Sequence, residues 1–186
     1  FANCKEGSDL LIWTTSESGE FSTKSAWDCV RVRGQNFQGN KWIWNSILPK
    51  KISVFMWKAW HGALAVDDKI WRIGIPLVSR CNCCIQGHYE DLNHVLFAGE
   101  EAAEVWKKIG VMLGLPIGRN WYETCLSWFR RASNASQSGV ILGVLPTVIS
   151  WRLWTRRCKA RMEGKIESGQ VLWQSIKQWV GIICQG

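Results

Sequence analysis

Three cysteines in one short stretch have the clearest chemical potential in this sequence. Cys81, Cys83 and Cys84 are crowded together, and His88 and His94 follow shortly after them. Thiolate sulfur and imidazole nitrogen are the donors that suit tetrahedral zinc. Four of the other five cysteines are scattered through helix-like segments and form no regular framework: Cys29, Cys125, Cys158 and Cys184. The pattern favours a reduced, intracellular protein with a metal-binding loop over a disulfide scaffold.

A second candidate site is a group of basic residues near the C-terminal end. One predicted helix carries Trp151, Trp154 and Cys158 at spacings that place them on its inner side. Arginine predominates among the cations of this helix, and its planar group makes forked contacts with phosphate. We therefore predict contacts with RNA or DNA phosphates from Arg152, Arg156, Arg157, Lys159 and Arg161. The alternative is a solvated helix face.

The overall charge agrees with a polyanionic partner but does not by itself identify one. The chain has 23 Lys+Arg against 15 Asp+Glu, for a formal charge of +8. Neutralising phosphates with such cations releases condensed counterions and favours binding. Many basic proteins nevertheless bind no nucleic acid. RNA or DNA is thus a predicted partner that needs a second argument.

Several functional classes are excluded or disfavoured. The most apolar stretch, residues 140–154, contains Pro146 and Arg152, so no membrane span is predicted. No nucleophile–base set, converging carboxylate cluster or phosphate-binding glycine loop can be assembled. We expect no catalytic activity. Because the chain begins with Phe1, we also expect it to be part of a longer protein or a processed product.

The elements that would position these residues are mainly helical. Residues 10–13 and 20–22 predict two short strands joined at Ser18 and Gly19, that is, an N-terminal β-hairpin. Helical spacing then predicts helices over residues 23–33, 52–61, 67–72, 100–113, 120–131, 146–162 and 169–183. Residues 132–139 look like a linker. The predicted fold is mainly α, with a hairpin and a small Cys/His loop.

The aromatic residues predict a tryptophan-rich core. Hydrophobic residues make up 47% of the chain, which contains 14 tryptophans. Most of these lie at helical spacing with other apolar residues, so we expect core positions and assign none to base stacking. A monomer is predicted in which five side chains are buried together: Trp27, Trp44, Phe55, Trp60 and Trp106.

Several fragments together resemble a known family. Their order matters more than any one of them. The fragments are Trp13, residues 18–22 (SGEFS), residues 42–44 (WIW), residues 49–58 (PKKISVFMWK), Cys81 to Cys84, residues 93–97 (NHVLF) and residues 102–106. They resemble the zinc-binding region that follows the reverse transcriptase in plant LINE-type retroelements. Residues 145–157 resemble, more loosely, the basic connector before a ribonuclease H domain.

The resemblance implies a ligand set for zinc. Cys81 and Cys84 occupy the positions of the family's cysteine pair, and His94 that of its histidine. Gly99 stands where the family has its last cysteine, so one ligand is missing. His88 is the preferred substitute, with Cys83 and Glu90 behind it.

Three outcomes for the metal remain open. A site of Cys81, Cys84, His94 and His88 predicts weak or substoichiometric zinc. A three-ligand site could instead be completed by water. Metal binding could also be lost, with the loop retained for its packing.

The resemblance also implies domains and a role. We predict a zinc-binding-like domain over residues 1–131 and a connector-like segment over residues 140–186. The implied function is a non-catalytic, nucleic-acid-associated accessory module of a retroelement polyprotein, in the nucleus or cytoplasm. The alternatives are a protein-interaction module derived from such an element and a decayed fragment without selected function.

Overall fold

A computed structural model describes residues 12–31, 37 and 39–185. The chain divides into two compact units, residues 1–36 and residues 37–186. This division differs from the boundaries expected from the sequence, 1–131 and 140–186. The second unit contains both the Cys/His loop and the basic helix.

The N-terminal unit contains a turn and helix α1 (Thr23–Val30). The Trp13 N–H donates to the Gly19 carbonyl at 2.8 Å. The Ser22 hydroxyl caps α1 by accepting from the Ser25 N–H at 3.1 Å. The predicted hairpin is not supported, because residues 12–22 adopt turns and irregular backbone. Residues 10 and 11 of that prediction lie outside the described part of the chain.

The larger unit is built from helices, and no strand occurs among the residues that are described. The mainly α prediction is therefore confirmed. One helix, predicted from its amphipathic pattern, has the predicted bounds of residues 100–113. The helices are α2 (Asn40–Ile43), α3 (Lys50–Trp60), α4 (Asp67–Arg72), α5 (Glu100–Leu113), α6 (Trp121–Arg131), α7 (Gln137–Glu163) and α8 (Gly169–Gln185).

Helix α7 is the central element of this unit and packs on α2, α3, α5, α6 and α8. It begins nine residues before the predicted start at Pro146, which lies inside it. The Ser136 hydroxyl caps it by accepting from the Gly139 N–H at 3.1 Å. Most residues from Gly143 to Ser150 are buried, and this tertiary packing offsets the hydrogen bond that proline removes. Part of the predicted linker is therefore helical.

The core contains four fully buried tryptophans: Trp42, Trp106, Trp121 and Trp128. Three of them have hydrogen-bonded indole N–H groups, and the Trp128 N–H donates to the Pro116 carbonyl at 2.8 Å. Trp106 donates to the Leu96 carbonyl at 2.7 Å, and Trp121 donates to the Ser150 hydroxyl at 2.8 Å. A tryptophan-rich core is thus present.

The predicted membership of that core is partly wrong. Phe55 and Trp106 are buried, and Trp60 is half-buried against the same cluster. In contrast, Trp27 is 64% exposed and Trp44 is 43% exposed. Helical spacing identifies an apolar face but does not say which part of it meets another element.

None of the helices in the described part of the chain is a candidate for spanning a membrane. The helices there are too short or too polar to cross a bilayer.

Candidate metal centre

The Cys/His loop is closed by its own backbone. The Cys81 N–H donates to the His88 carbonyl at 2.8 Å, and the Gly87 N–H donates to the Cys84 carbonyl at 3.2 Å. Gly87 has a φ of 61°, which favours glycine because a Cβ would be strained there. These bonds hold Cys81 and Cys84 on one side of a tight turn.

His94 reaches the loop from a different kind of element. Residues His94–Ala98 form a single π-helical turn, closed by the Gly99 N–H donating to the His94 carbonyl at 2.8 Å. Asp91 starts this turn by accepting from the His94 N–H at 2.6 Å. π-helical turns are rare in proteins as a whole, but those that occur are frequently found at functional sites. The sequence pattern contains no signal for this one.

Three ligand atoms converge where the loop meets the π turn. The Sγ atoms of Cys81 and Cys84 and a ring nitrogen of His94 all lie within 4.8 Å of one another. The Cys84 Sγ lies 3.2 Å from the His94 Nε2. Zinc–sulfur bonds of ~2.3 Å imply tetrahedral edges of about 3.8 Å. The three donors therefore fit a zinc ion, and the structure brings together three of the four predicted ligands.

Gly99 lies directly beside this group. A Cβ built on Gly99 would lie 3.6 Å from the His94 Nε2, so a cysteine side chain at this position would reach the ligand cluster. The same Cβ would lie only 2.9 Å from the His94 carbonyl oxygen, which would require a small backbone shift. A side chain at position 99 would thus start close to the three donors, but glycine has no side chain and cannot supply the fourth ligand.

The three predicted substitutes for the missing ligand have different surroundings. His88 is exposed, and its ring centroid lies 5.5 Å from that of His94, outside the converging group. Cys83 is half-buried and lines the same small cavity as Cys81. Glu90 is fully buried and paired with Arg157, so its carboxylate is already engaged.

Local hydrogen bonds divide the cysteines into one acidic thiol and two weakly acidic ones. The Cys83 thiol donates to Cys81 and lowers the pKa of Cys81 to about 4, against the effect of burial. Burial and the charge on Cys81 raise the pKa of Cys84 to about 11. The pKa of Cys83 is also raised, chiefly because its thiol is the donor to Cys81. The lowered pKa of Cys81 favours its thiolate, which is the form of cysteine that binds metals.

The basic residues of α7 lie among acidic partners. Arg156 and Arg157 are only 6% exposed. Arg156 donates from Nε to the Glu167 carbonyl at 2.8 Å, and Arg157 donates from Nε to both carboxylate oxygens of Glu90 at 3.1 Å. The inner side of α7 therefore includes two arginines that the sequence pattern placed outside.

The other three predicted cations are also paired. Arg152 and Lys159 both bind Glu167, at 3.2 and 2.6 Å, and Arg161 binds Asp67 at 2.6 Å. The five cations therefore do not form an open basic surface, because each of them has an acidic or carbonyl partner within the protein. Phosphate contacts from these five residues stay a prediction. Lys159 is the exposed member of the set.

The acidic partners were missed because they are remote in sequence. Glu90 is 67 residues from Arg157, and Asp67 is 94 residues from Arg161. Helical periodicity relates only residues a few positions apart. Only Glu167, which follows the predicted helix closely, could have been found from local spacing.

Two of the comparisons with known proteins give a match. Residues 21–106 match a family model described as zinc-binding in reverse transcriptase. A putative ribonuclease H protein of Arabidopsis thaliana is 24% identical over 105 residues, which cover 54% of this chain. The match spans 17% of the length of that relative. No solved structure matches. Cys81, Cys84, His94 and Gly99 all lie within residues 21–106, the part of the chain that matches the family model.

Proposed function

We propose that this chain, which carries the zinc-binding region of a retroelement reverse transcriptase, is a non-catalytic accessory module that binds one structural zinc ion. The observation that supports this most directly is the convergence of Cys81, Cys84 and His94 within 4.8 Å. The ligands come from two segments, the Cys/His loop and the π turn. A bound zinc ion would supply a cross-link between these segments, as structural zinc does in other small domains.

The acidic residues of the larger unit support a role without turnover. A magnesium-dependent polymerase or nuclease needs several carboxylates that converge on a metal ion. Here Asp67, Glu90 and Glu167 are each bound to arginine or lysine side chains of α7. They act as structural partners for α7 in this proposal.

For the fourth zinc ligand we propose Cys83 in place of His88. Cys83 contacts Cys81 through its thiol and lines the cavity that Gly99 also borders. Neither residue belongs to the converging group, but His88 is exposed whereas Cys83 is half-buried. A rotation of the Cys83 side chain would bring a third thiolate to the metal, and thiolates are favoured zinc ligands.

Zinc content and affinity test the metal proposal. Protein purified without chelator should contain zinc, measured by elemental analysis, and affinity should be measured by competition with a chelator. Cys84→Ser should lower affinity by more than about 100-fold, because loss of even an outer-shell partner typically costs ~10–100-fold. Gly99→Cys should raise it. Cys158→Ser, a half-buried cysteine on α7, is the control and should retain wild-type affinity.

Two further variants distinguish the fourth ligand. Cys83→Ser should weaken zinc binding and remove one thiolate from the charge-transfer spectrum of the cobalt-substituted protein, whereas His88→Ala should change neither. The reverse result would assign the fourth position to His88. Wild-type protein that contains no zinc and does not bind added zinc would contradict the whole metal proposal.

We also propose that the module associates with RNA or DNA. The support is the formal charge of +8 and the position of such regions beside a polymerase. Binding of labelled single strands should weaken as salt rises, with a slope of about 0.7 for each phosphate contacted. Binding that does not respond to salt, or that is absent at low salt, would remove this part of the proposal.

A protein-interaction module is the second candidate, and one surface favours it. An apolar groove of about 400 Å³ lies between α5, α7 and α8 and is lined by Met112, Leu145, Trp173 and Ile176, among others. Such grooves accept the apolar face of a partner helix. Failure to bind any nucleic acid, together with an intact fold, would make this candidate the leading one.

A further inference from the structure

Two aromatic side chains lie together at the surface. The sequence pattern predicted an exposed role for neither of them. Trp71, near the end of α4, is 63% exposed, and Tyr89, just beyond the Cys/His loop, is 53% exposed. Both line one open cavity of about 370 Å³, together with Leu77 and Ser79. This volume lies within the ~300–1,000 Å³ typical of ligand pockets. Burial in the core therefore does not account for these rings.

The Tyr89 ring is held in place from one side. Its hydroxyl donates to Asp68 Oδ1 at 2.9 Å, and Asp68 Oδ2 accepts from the Arg72 Nε at 2.8 Å. The Arg72 side chain is nevertheless 68% exposed, so the rest of its guanidinium group stays accessible to solvent. The ring and the cation are thus ordered next to each other before any ligand binds, which reduces the entropy lost on binding.

The floor of the cavity is also anchored. Ser79 accepts from the Glu90 N–H at 2.8 Å, and the Glu90 carboxylate is in turn bound by Arg157 in the core. The Ser79 hydroxyl keeps its own proton, which can be donated to an acceptor in the cavity. The site therefore combines aromatic rings with a polar group on a rigid support.

Arg72 shares Asp68 with Tyr89, two further cations lie close by in the sequence, and the nearby acids are already engaged. Lys69, Arg72 and Arg80 are exposed. Asp67 binds Arg161 and accepts from the Arg80 N–H, and Asp68 binds Arg72. Asp91, the remaining acid near Tyr89, accepts from the His94 N–H. A phosphate that approached this surface would meet more positive than unbalanced negative charge.

We propose that Trp71 and Tyr89 form a stacking site for unpaired bases of single-stranded nucleic acid, with Lys69, Arg72 and Arg80 contacting the phosphates. This inference rests on the proposed association with RNA or DNA and specifies where and how it occurs. Stacking on exposed aromatic rings beside cations is the usual way in which proteins bind single strands without strong sequence preference. Paired bases in a duplex do not offer their faces, so single strands bind in preference to duplexes.

The test is the affinity of labelled single-stranded RNA and DNA for alanine variants, measured by fluorescence anisotropy. Trp71→Ala and Tyr89→Ala should each weaken binding by about 5- to 150-fold, the range for loss of one stacked base. Trp71→Phe and Tyr89→Phe should retain most of the affinity, because each keeps a ring. Trp27→Ala is the matched control, since Trp27 is 64% exposed, and it should bind as wild type does.

The test is completed by measuring binding to a duplex of the same length over the same series of salt concentrations. Wild-type protein should bind it more weakly than the single strand, and Trp71→Ala should change duplex binding little. Thermal unfolding of every variant should match wild type within a few degrees, because these rings are exposed.

The outcomes separate this inference from the proposed function. If wild-type protein binds single strands but the two alanine variants bind equally well, the stacking site is wrong and the broader association stands. Equal loss with phenylalanine and alanine variants would also overturn it. If wild-type protein binds no nucleic acid, both fail, and a protein partner docking on neighbouring Ile73, Ile75 and Val78 becomes the better explanation.

Discussion

Glu90 and Arg157 form the most deeply buried ion pair among the described residues. The Glu90 side chain is fully buried, and Arg157 also donates to the Ala65 carbonyl at 3.2 Å. Arg161 lies 3.6 Å from the same carboxylate. Removing two charges from water is costly, and the cost is offset only when the pair is well bonded. The pair therefore links the loop after Cys84 to α7 and makes each partner dependent on the other.

Removing one partner of this pair should destabilise the protein strongly. We expect Arg157→Met to lower the free energy of unfolding by about 3–5 kcal/mol, because it leaves Glu90 buried without compensation. Urea denaturation followed by circular dichroism measures this. Arg119→Met, which breaks an exposed pair with Glu123, should change stability little.

The double variant Glu90→Met/Arg157→Met gives the sharper result. If the argument is correct, the double variant is more stable than Arg157→Met alone, because no unpaired charge remains. If the losses in free energy of unfolding of the two single variants simply add in the double variant, packing shape rather than charge dominates at this position.

Glu167 is the residue whose ionisation should link stability to pH. Burial alone raises the pKa of Glu167, but the hydrogen bond from Lys159 and the charge of Arg152 outweigh it and hold the pKa below the ordinary 4.5. A carboxyl group with a lowered pKa in the folded state contributes stability above its unfolded pKa. That contribution is lost as the pH falls below 4.5 and through the folded-state pKa.

Glu167→Gln should therefore be less stable than wild type at neutral pH, and the difference should shrink in acid. Unfolding curves measured between pH 7 and pH 3 give the comparison. Glu104→Gln is the control, because Glu104 is an exposed residue of α5. A difference between Glu167→Gln and wild type that stays constant with pH would contradict the assignment.

At the scale of the elements, the approach of α7 to α2 depends on one glycine. A Cβ built on Gly143 would lie 2.1 Å from the ring of Trp42, which is fully buried. No side chain larger than hydrogen fits there without moving one of the two helices. The close contact explains why a glycine is retained in the middle of a long helix despite its cost in helix propensity.

Gly143→Ala should destabilise the protein by about 1–3 kcal/mol, as overpacking of a dense core typically does. Gly181→Ala on α8 is the matched control, since a Cβ there would meet nothing within 4 Å. That variant should gain roughly 0.5–1 kcal/mol from helix propensity. Thermal unfolding of both proteins tests the contrast, and a stabilised Gly143→Ala would mean that the α2–α7 contact is looser than described.

At the scale of the molecule, the larger unit has one main core to which all of its long helices contribute. Trp121 of α6 bonds Ser150 of α7, and Phe55 of α3 packs edge-on against Trp151 at 5.3 Å. Residues 140–186 thus supply part of the surroundings of the metal-bearing segment. The connector-like helices and the Cys/His loop share one packing arrangement.

A chain ending at residue 139 should therefore lack cooperative folding of residues 37–139. Without α7, Trp42 and Trp121 lose the helix that covers them. We expect a broad thermal transition and strong binding of a dye for exposed apolar surface. A sharp, reversible transition in this truncated protein would instead support an independent domain ending near residue 131.

The sequence by itself determined the class of the fold, the bounds of α5 and the cluster of Cys81, Cys84 and His94. These features depend on neighbours within a few positions: apolar residues at helical spacing, and Cys81 and Cys84 close to His94. The same local signals identified the family. They could not supply the π turn that orients His94, because it follows from how Asp91 and Gly99 close a particular backbone.

Only the tertiary structure decided which residues of each helix are buried. Trp71 carries the same apolar signal as buried Trp106, yet it is 63% exposed among the described residues, whereas Trp106 is fully covered. Arg156 and Arg157 carry the signal of an exposed face, yet they are buried because Arg156 donates to the Glu167 carbonyl and Arg157 pairs with the Glu90 carboxylate. Burial depends on partners far away in sequence, and local periodicity contains no information about them.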